Sequence, residues 1–96
     1  MRASWYEKTG PAIDVLQIGK METPEACDNE VRIKIFASGV NPADVKLRAG
    51  QSSYGYNFDR VIPNSDGAGI IDQVGPGVSK NHIGQRVWLF NGQRLG

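Results

Sequence analysis

From Val31 to Ser38 the chain alternates: Val31, Ile33, Ile35 and Ala37 fall on one side, and Arg32, Lys34, Phe36 and Ser38 on the other. A helix would scatter the first set over several faces, whereas the two-residue repeat of a strand gathers it into one apolar face. This segment is therefore a half-buried strand, and the fold must supply cover for it. It ends at Gly39-Val40, where Asn41-Pro42-Ala43-Asp44 begins. Asn is a favoured N-cap, Pro suits the first helical position, and an acid at the third meets orphan amides. The helix predicted here continues for two turns through Val45, Leu47, Arg48 and Ala49 and stops at Gly50.

The other segments are shorter. Arg2 to Tyr6 and Val15 to Ile18 read as strands, separated by the turn cluster Thr9-Gly10-Pro11. Residues 21–29 and 51–59 read as loops, the second carrying Tyr54, Tyr56 and Phe58. Ile70 to Val74 and Gln85 to Phe90 are further strands, with the tight-turn signature Gly75-Pro76-Gly77 between them. Several short strands, one clear helix and frequent Gly/Pro punctuation predict a mostly antiparallel β barrel or sandwich. The 96 residues suffice for one hydrophobic core.

Charge and residue counts exclude several functions. Eleven basic and ten acidic residues give a formal charge of +1, which supplies no basic face for nucleic acid. One cysteine, Cys27, and one histidine, His82, cannot close a four-ligand zinc site or a disulfide within the chain. No apolar block follows the basic residue at the N-terminus, and no stretch is long enough to span a bilayer, so a soluble cytoplasmic protein is expected. Cys27, beside Asp28 and without a cation, is not expected to act as a nucleophile, and His82 is expected at the surface.

Two small clusters draw attention. Gly67-Ala68-Gly69 invites a dinucleotide-binding reading, but Asp72 stands where the third glycine belongs, and Ile70 to Val74 reads as strand rather than helix. Close backbone approach inside a barrel is the better explanation for those glycines. Asn41 and Asp44 serve first as helix caps, yet a strand-to-helix corner also presents side chains and amide donors to a cleft. Tyr54 and Tyr56 are either gates over such a cleft or ordinary aromatic packing.

Four blocks in order carry a resemblance. They are the strand 31–37 running into Ser38-Gly39-Val40-Asn41-Pro42-Ala43-Asp44, then Pro63-Asn64-Ser65-Asp66-Gly67-Ala68-Gly69-Ile70-Ile71, then Val74-Gly75-Pro76-Gly77-Val78, then Gly84-Gln85-Arg86-Val87. Together they resemble the medium-chain dehydrogenase/reductase superfamily, in its quinone oxidoreductase (zeta-crystallin-like) branch. The resemblance implies a mostly β fold: a GroES-like, partly open β barrel with one or two short helices. It further implies that residues 1–96 are the substrate-side domain, truncated before the dinucleotide-binding domain that family members carry.

Departures from the zinc alcohol dehydrogenases are informative. Where those proteins place a cysteine ligand and a Gly-His-Glu block, this chain has Asn41 and Asn64-Ser65-Asp66; the relay hydroxyl would fall at Ala43. The resemblance thus implies a zinc-free enzyme passing hydride from NADPH to a quinone or enone. In it Asn41 would donate to the acceptor carbonyl or to the nicotinamide ribose, and Asp44 would brace the corner. Ser65 and Asp66 would lie beside the vacated metal position, and Tyr54 and Tyr56 would shape the substrate cleft. NADPH would be held mainly by the missing domain, so the 96 residues alone are expected to be inactive. Removing the strands that cover the barrel would expose Trp88, Leu89 and Phe90 and favour self-association. Two alternatives stand beside this reading: a domain of a zinc-dependent alcohol dehydrogenase, and a non-enzymatic binding barrel.

Overall fold

The alternating segment forms β3 (Val31–Gly39), the edge strand of a three-stranded sheet. In the computed structural model, which describes residues 1–51, 59–90 and the backbone of 94–95, β3 pairs antiparallel with β5 (Asp66–Val74). β5 in turn pairs antiparallel with β6 (Arg86–Leu89), giving the order β3-β5-β6. The central strand is the one rich in small residues. A Cβ on Gly69 would land on the backbone carbonyl of Lys34, so β3 can lie this close only to a strand without a side chain there. The glycine run is thus inside a strand, as its flanking residues imply, and forms no phosphate-binding turn. The register shifts between Ile35 and Ala37, which leaves Phe36 as a bulge near the end of β3.

The first residues make a second, two-stranded sheet from β1 (Arg2–Trp5) and β2 (Gln17–Lys20). The strand expected to start at Val15 starts later, at Gln17. Val15 is not in a strand: it ends a four-residue helix, α1 (Ala12–Val15), and β2 begins two residues later. The extended Pro11 carbonyl accepts from the amides of Asp14 and Val15 and closes that single turn. Four residues are too few to display a helical repeat, so only the apolar content of the segment was legible. Val15 turns inward and joins Tyr6 and Val61 in the small buried core. Tyr6 and Val61 exchange both backbone hydrogen bonds at 2.9 Å, which ties the first strand to β4 (Val61–Ile62). β4 also pairs with β7 (Arg94–Leu95).

Among the described residues the result is mostly β with two short α-helices, in three sheets that do not close on themselves, as a partly open barrel requires. The inner face of β3 remains incompletely covered, with Ile35 and Val31 exposed. The outer face is more open still: Phe36, Trp88 and Phe90 are 65%, 76% and 68% exposed, and Leu89 between the last two is half-buried. No helix among the described residues is long and apolar enough to cross a membrane.

Candidate functional site

At the end of β3 the chain turns into α2 (Pro42–Ala49) with Asn41 in an extended conformation at the N-cap. Pro42 opens the helix and Gly50, in the left-handed region at φ 81°, closes it. Asp44 completes a capping box: its Oδ2 accepts the Asn41 backbone N–H at 2.8 Å. Asp44 is only 6% exposed, the one charged residue buried among those described. Its second oxygen, Oδ1, accepts from the Ser65 hydroxyl at 3.3 Å. The far end of the helix is also held, because Arg48 donates to the Gly10 carbonyl at 2.6 Å while its own carbonyl accepts from the Gly10 amide.

Ser65 and Asp66 arrive from the turn between β4 and β5. Asn64 sits there at φ 76°, a conformation that asparagine tolerates better than most residues. Its side-chain amide donates to the Ser38 hydroxyl at 2.9 Å, across from the end of β3. Asp66 then begins β5 opposite Gly39 and accepts from Asn41 Nδ2 at 2.5 Å. Asn41, Asp44, Ser65 and Asp66, separated by up to 25 positions in the chain, are thus linked by three hydrogen bonds in the order Asp66, Asn41, Asp44, Ser65. These are four of the six site residues that the sequence singles out. Tyr54 and Tyr56 lie outside the described residues. Asn64 and Ser38 were missed; the only available signal was the affinity of asparagine for left-handed turns beside Pro63.

Beside this corner runs a cleft of about 840 Å³ whose floor includes Ile33, Ile35 and Leu89 and whose rim includes Asn64 and Asp66. The corner lines it with the Asn64 carboxamide, the Ser38 hydroxyl and the Asp66 carboxylate, with Asn41 one hydrogen bond behind Asp66; it offers no thiolate or imidazole. Cys27 is exposed in a separate loop, near Glu30 rather than any cation, and His82 is exposed in the short turn Lys80–His82. Among the described residues no group of three potential ligands gathers. Farther along β3 the same cleft is lined by Arg32, which donates to Asp72 at 2.9 Å and to the Pro24 carbonyl, pinning the loop before the strand. The hydrogen bond to Asp72 raises the Arg32 pKa further, so its charge is constant across the working range.

Comparison with known proteins identifies the fold and family. Residues 27–94 match the alcohol dehydrogenase GroES-like domain, more than two thirds of the chain. The chain belongs to that family, within the medium-chain dehydrogenase/reductase superfamily, and its similarities centre on quinone oxidoreductases. It is 38% identical over 86 residues to the quinone oxidoreductase of Rattus norvegicus, covering 90% of this chain and 26% of that protein. An alcohol dehydrogenase of Geobacillus stearothermophilus is 34% identical over 79 residues, 79% of this chain and 23% of the relative. The crystal structure of Escherichia coli quinone oxidoreductase complexed with NADPH superposes with a TM-score of 0.77 at 26% identity, covering 100% of this chain and 28% of that one. The chain therefore spans about a quarter of the length of the proteins it matches.

Proposed function

We propose that this chain is the substrate-side domain of a zinc-free, NADPH-dependent oxidoreductase acting on quinones or enones. The observation that carries the proposal is the position of Asn41: a residue on a rigid strand-to-helix corner, its backbone held by buried Asp44 and its carboxamide bonded to Asp66, which lines the cleft. A quinone or enone gains a hydride and then a proton, leaving as the quinol or the saturated ketone. The nicotinamide cofactor supplies the hydride when bound. Negative charge develops on the acceptor oxygen during that transfer, and an amide donor already fixed in place stabilises it without reorganising. Asparagine cannot release a net proton, so the proton comes from water.

Gly67 to Gly69 lie in β5, so the described residues contain no cradle for a diphosphate. On this reading they meet the reacting end of the cofactor at most, through Asn41, and the diphosphate is bound elsewhere; the 96 residues alone do not turn over. The alcohol dehydrogenase relative supports an alcohol dehydrogenase reading, whose zinc-dependent form is the alternative. Against it stands the donor set of the corner, because Asn41 and Ser65 are poor zinc ligands. The exposed, free Cys27 fits a reducing cytoplasm, and the exposed Trp88 and Phe90 favour self-association.

Saturation-transfer NMR with tetramethyl-benzoquinone tests the proposal. This quinone is chosen because its substituted ring resists addition of the Cys27 thiol. Binding that weakens severalfold in Asn41→Ala, and zinc below stoichiometry in purified protein, are expected. Equal binding by Asn41→Ala, or stoichiometric zinc, would overturn it.

A further inference from the structure

Asn41 is gripped by two different carboxylates, and they act on different atoms. Asp44 takes the backbone N–H at 2.8 Å, whereas Asp66 takes the side-chain amide at 2.5 Å. The first contact is ordinary helix capping and fixes where the residue sits. The second has no capping role, because Asp66 belongs to another strand, opposite Gly39. A carboxamide nitrogen carries two N–H groups in one plane. A charge-assisted bond to one of them fixes that plane and therefore the direction of the other.

We infer that Asp66 is a positioning residue: its carboxylate orients the Asn41 carboxamide so that the second N–H faces the acceptor oxygen. The inference rests on the proposed quinone or enone reductase reading, and it gives Asp66 a task distinct from lining the cleft. It also accounts for the company Asp66 keeps. Ser65, the preceding residue, is tied to Asp44, and Asn64 is tied to Ser38, so the turn delivering Asp66 is anchored at both edges of the corner. A carboxylate delivered by a loose turn would track the asparagine instead of directing it.

The test uses ¹H–¹⁵N spectra of the 96-residue chain as wild type, Asp66→Ala and Asp66→Asn, each titrated with tetramethyl-benzoquinone. In the wild type the two Asn41 side-chain amide protons should be widely separated and slow to exchange. In Asp66→Ala the pair should collapse to the values of a solvated asparagine, and quinone affinity should fall roughly threefold to tenfold, the loss of one oriented hydrogen bond. Asp66→Asn retains an acceptor oxygen and should recover part of both effects. The Asn41 backbone amide, held by Asp44, should stay in place throughout and reports that the corner is folded. An unchanged Asn41 side-chain pair in Asp66→Ala, with that backbone amide in place, would overturn the inference. So would a collapsed pair with undiminished quinone affinity. Failure of the wild type itself to bind the quinone, with the amide pair intact, would instead overturn the functional reading on which the inference depends.

Discussion

Replacing Asp44 by alanine removes the brace of the corner, and its cost follows from two contacts. The stronger is the 2.8 Å bond from the Asn41 N–H to Oδ2. A hydrogen bond to a charged partner contributes about 1.5–3 kcal/mol, and loss of a helix cap costs about 0.5–2 kcal/mol. These overlap, since the bond is the cap. The weaker contact, from Ser65 at 3.3 Å, adds a few tenths at most. Asp44→Ala should therefore destabilise by about 2 kcal/mol, a large share of the roughly 5–14 kcal/mol expected for a chain of this length. With a urea m-value of about 1–2 kcal/mol/M, the unfolding midpoint followed by circular dichroism should fall by about 1–2 M. Asp44→Asn keeps one carbonyl oxygen in the same place and should lose about half as much, by the same principle. Ser65→Ala should barely move the midpoint. If Asp44→Ala unfolds within about 0.2 M of wild type, or if Ser65→Ala costs as much, then Asp44 does not organise the corner as described.

Other changes have equally definite outcomes. Gly69→Val should abolish folding, because its Cβ meets the Lys34 carbonyl; a cooperative urea transition in this variant would contradict the pairing of β3 with β5. Arg32→Ala should barely move the unfolding midpoint, as expected for a solvent-screened ion pair, with raised proteolysis of the loop at residues 21–30 as its clearer signature. Trp88→Lys should reduce self-association in sedimentation without altering the circular dichroism spectrum, since Trp88 is 76% exposed. Cys27 should react fully with a disulfide reagent in the folded chain, and the modified protein should keep its unfolding midpoint, because the thiol is exposed and outside the corner.

The parts legible in the sequence were those decided by neighbours along the chain. β3 announces itself by the alternation from Val31 to Ser38, and the Asn41-Pro42-Ala43-Asp44 corner by capping chemistry, whose range is three residues. The strand at Ile70 to Val74 is legible from its apolar β-branched residues, and close approach at the glycines from their missing side chains, but nothing local shows that the strand already begins at Asp66. By contrast, α1 was missed because one turn has no period, and its Val15 was assigned to a strand. The Tyr6–Val61 contact that anchors the small core spans 55 positions, and nothing local in either segment encodes it.

The candidate site divides along the same line. Asn41 and Asp44 could be paired from spacing alone, whereas Ser65 and Asp66 entered through family resemblance. Their contacts with the first two depend on the register of β3 against β5. Asn64 shows how chemistry can hide in a turn: its left-handed backbone swings Ser65 and Asp66 toward the corner while its side chain reaches back to Ser38.

The most direct measurement is a crystal structure of the chain soaked with tetramethyl-benzoquinone. A quinone oxygen within about 2.7–3.2 Å of Asn41 Nδ2, with Asp66 still holding the other N–H of that amide, is the predicted result. A quinone found only on the outer face, stacked on Trp88 and Phe90, would contradict the assignment of this corner as the acceptor site.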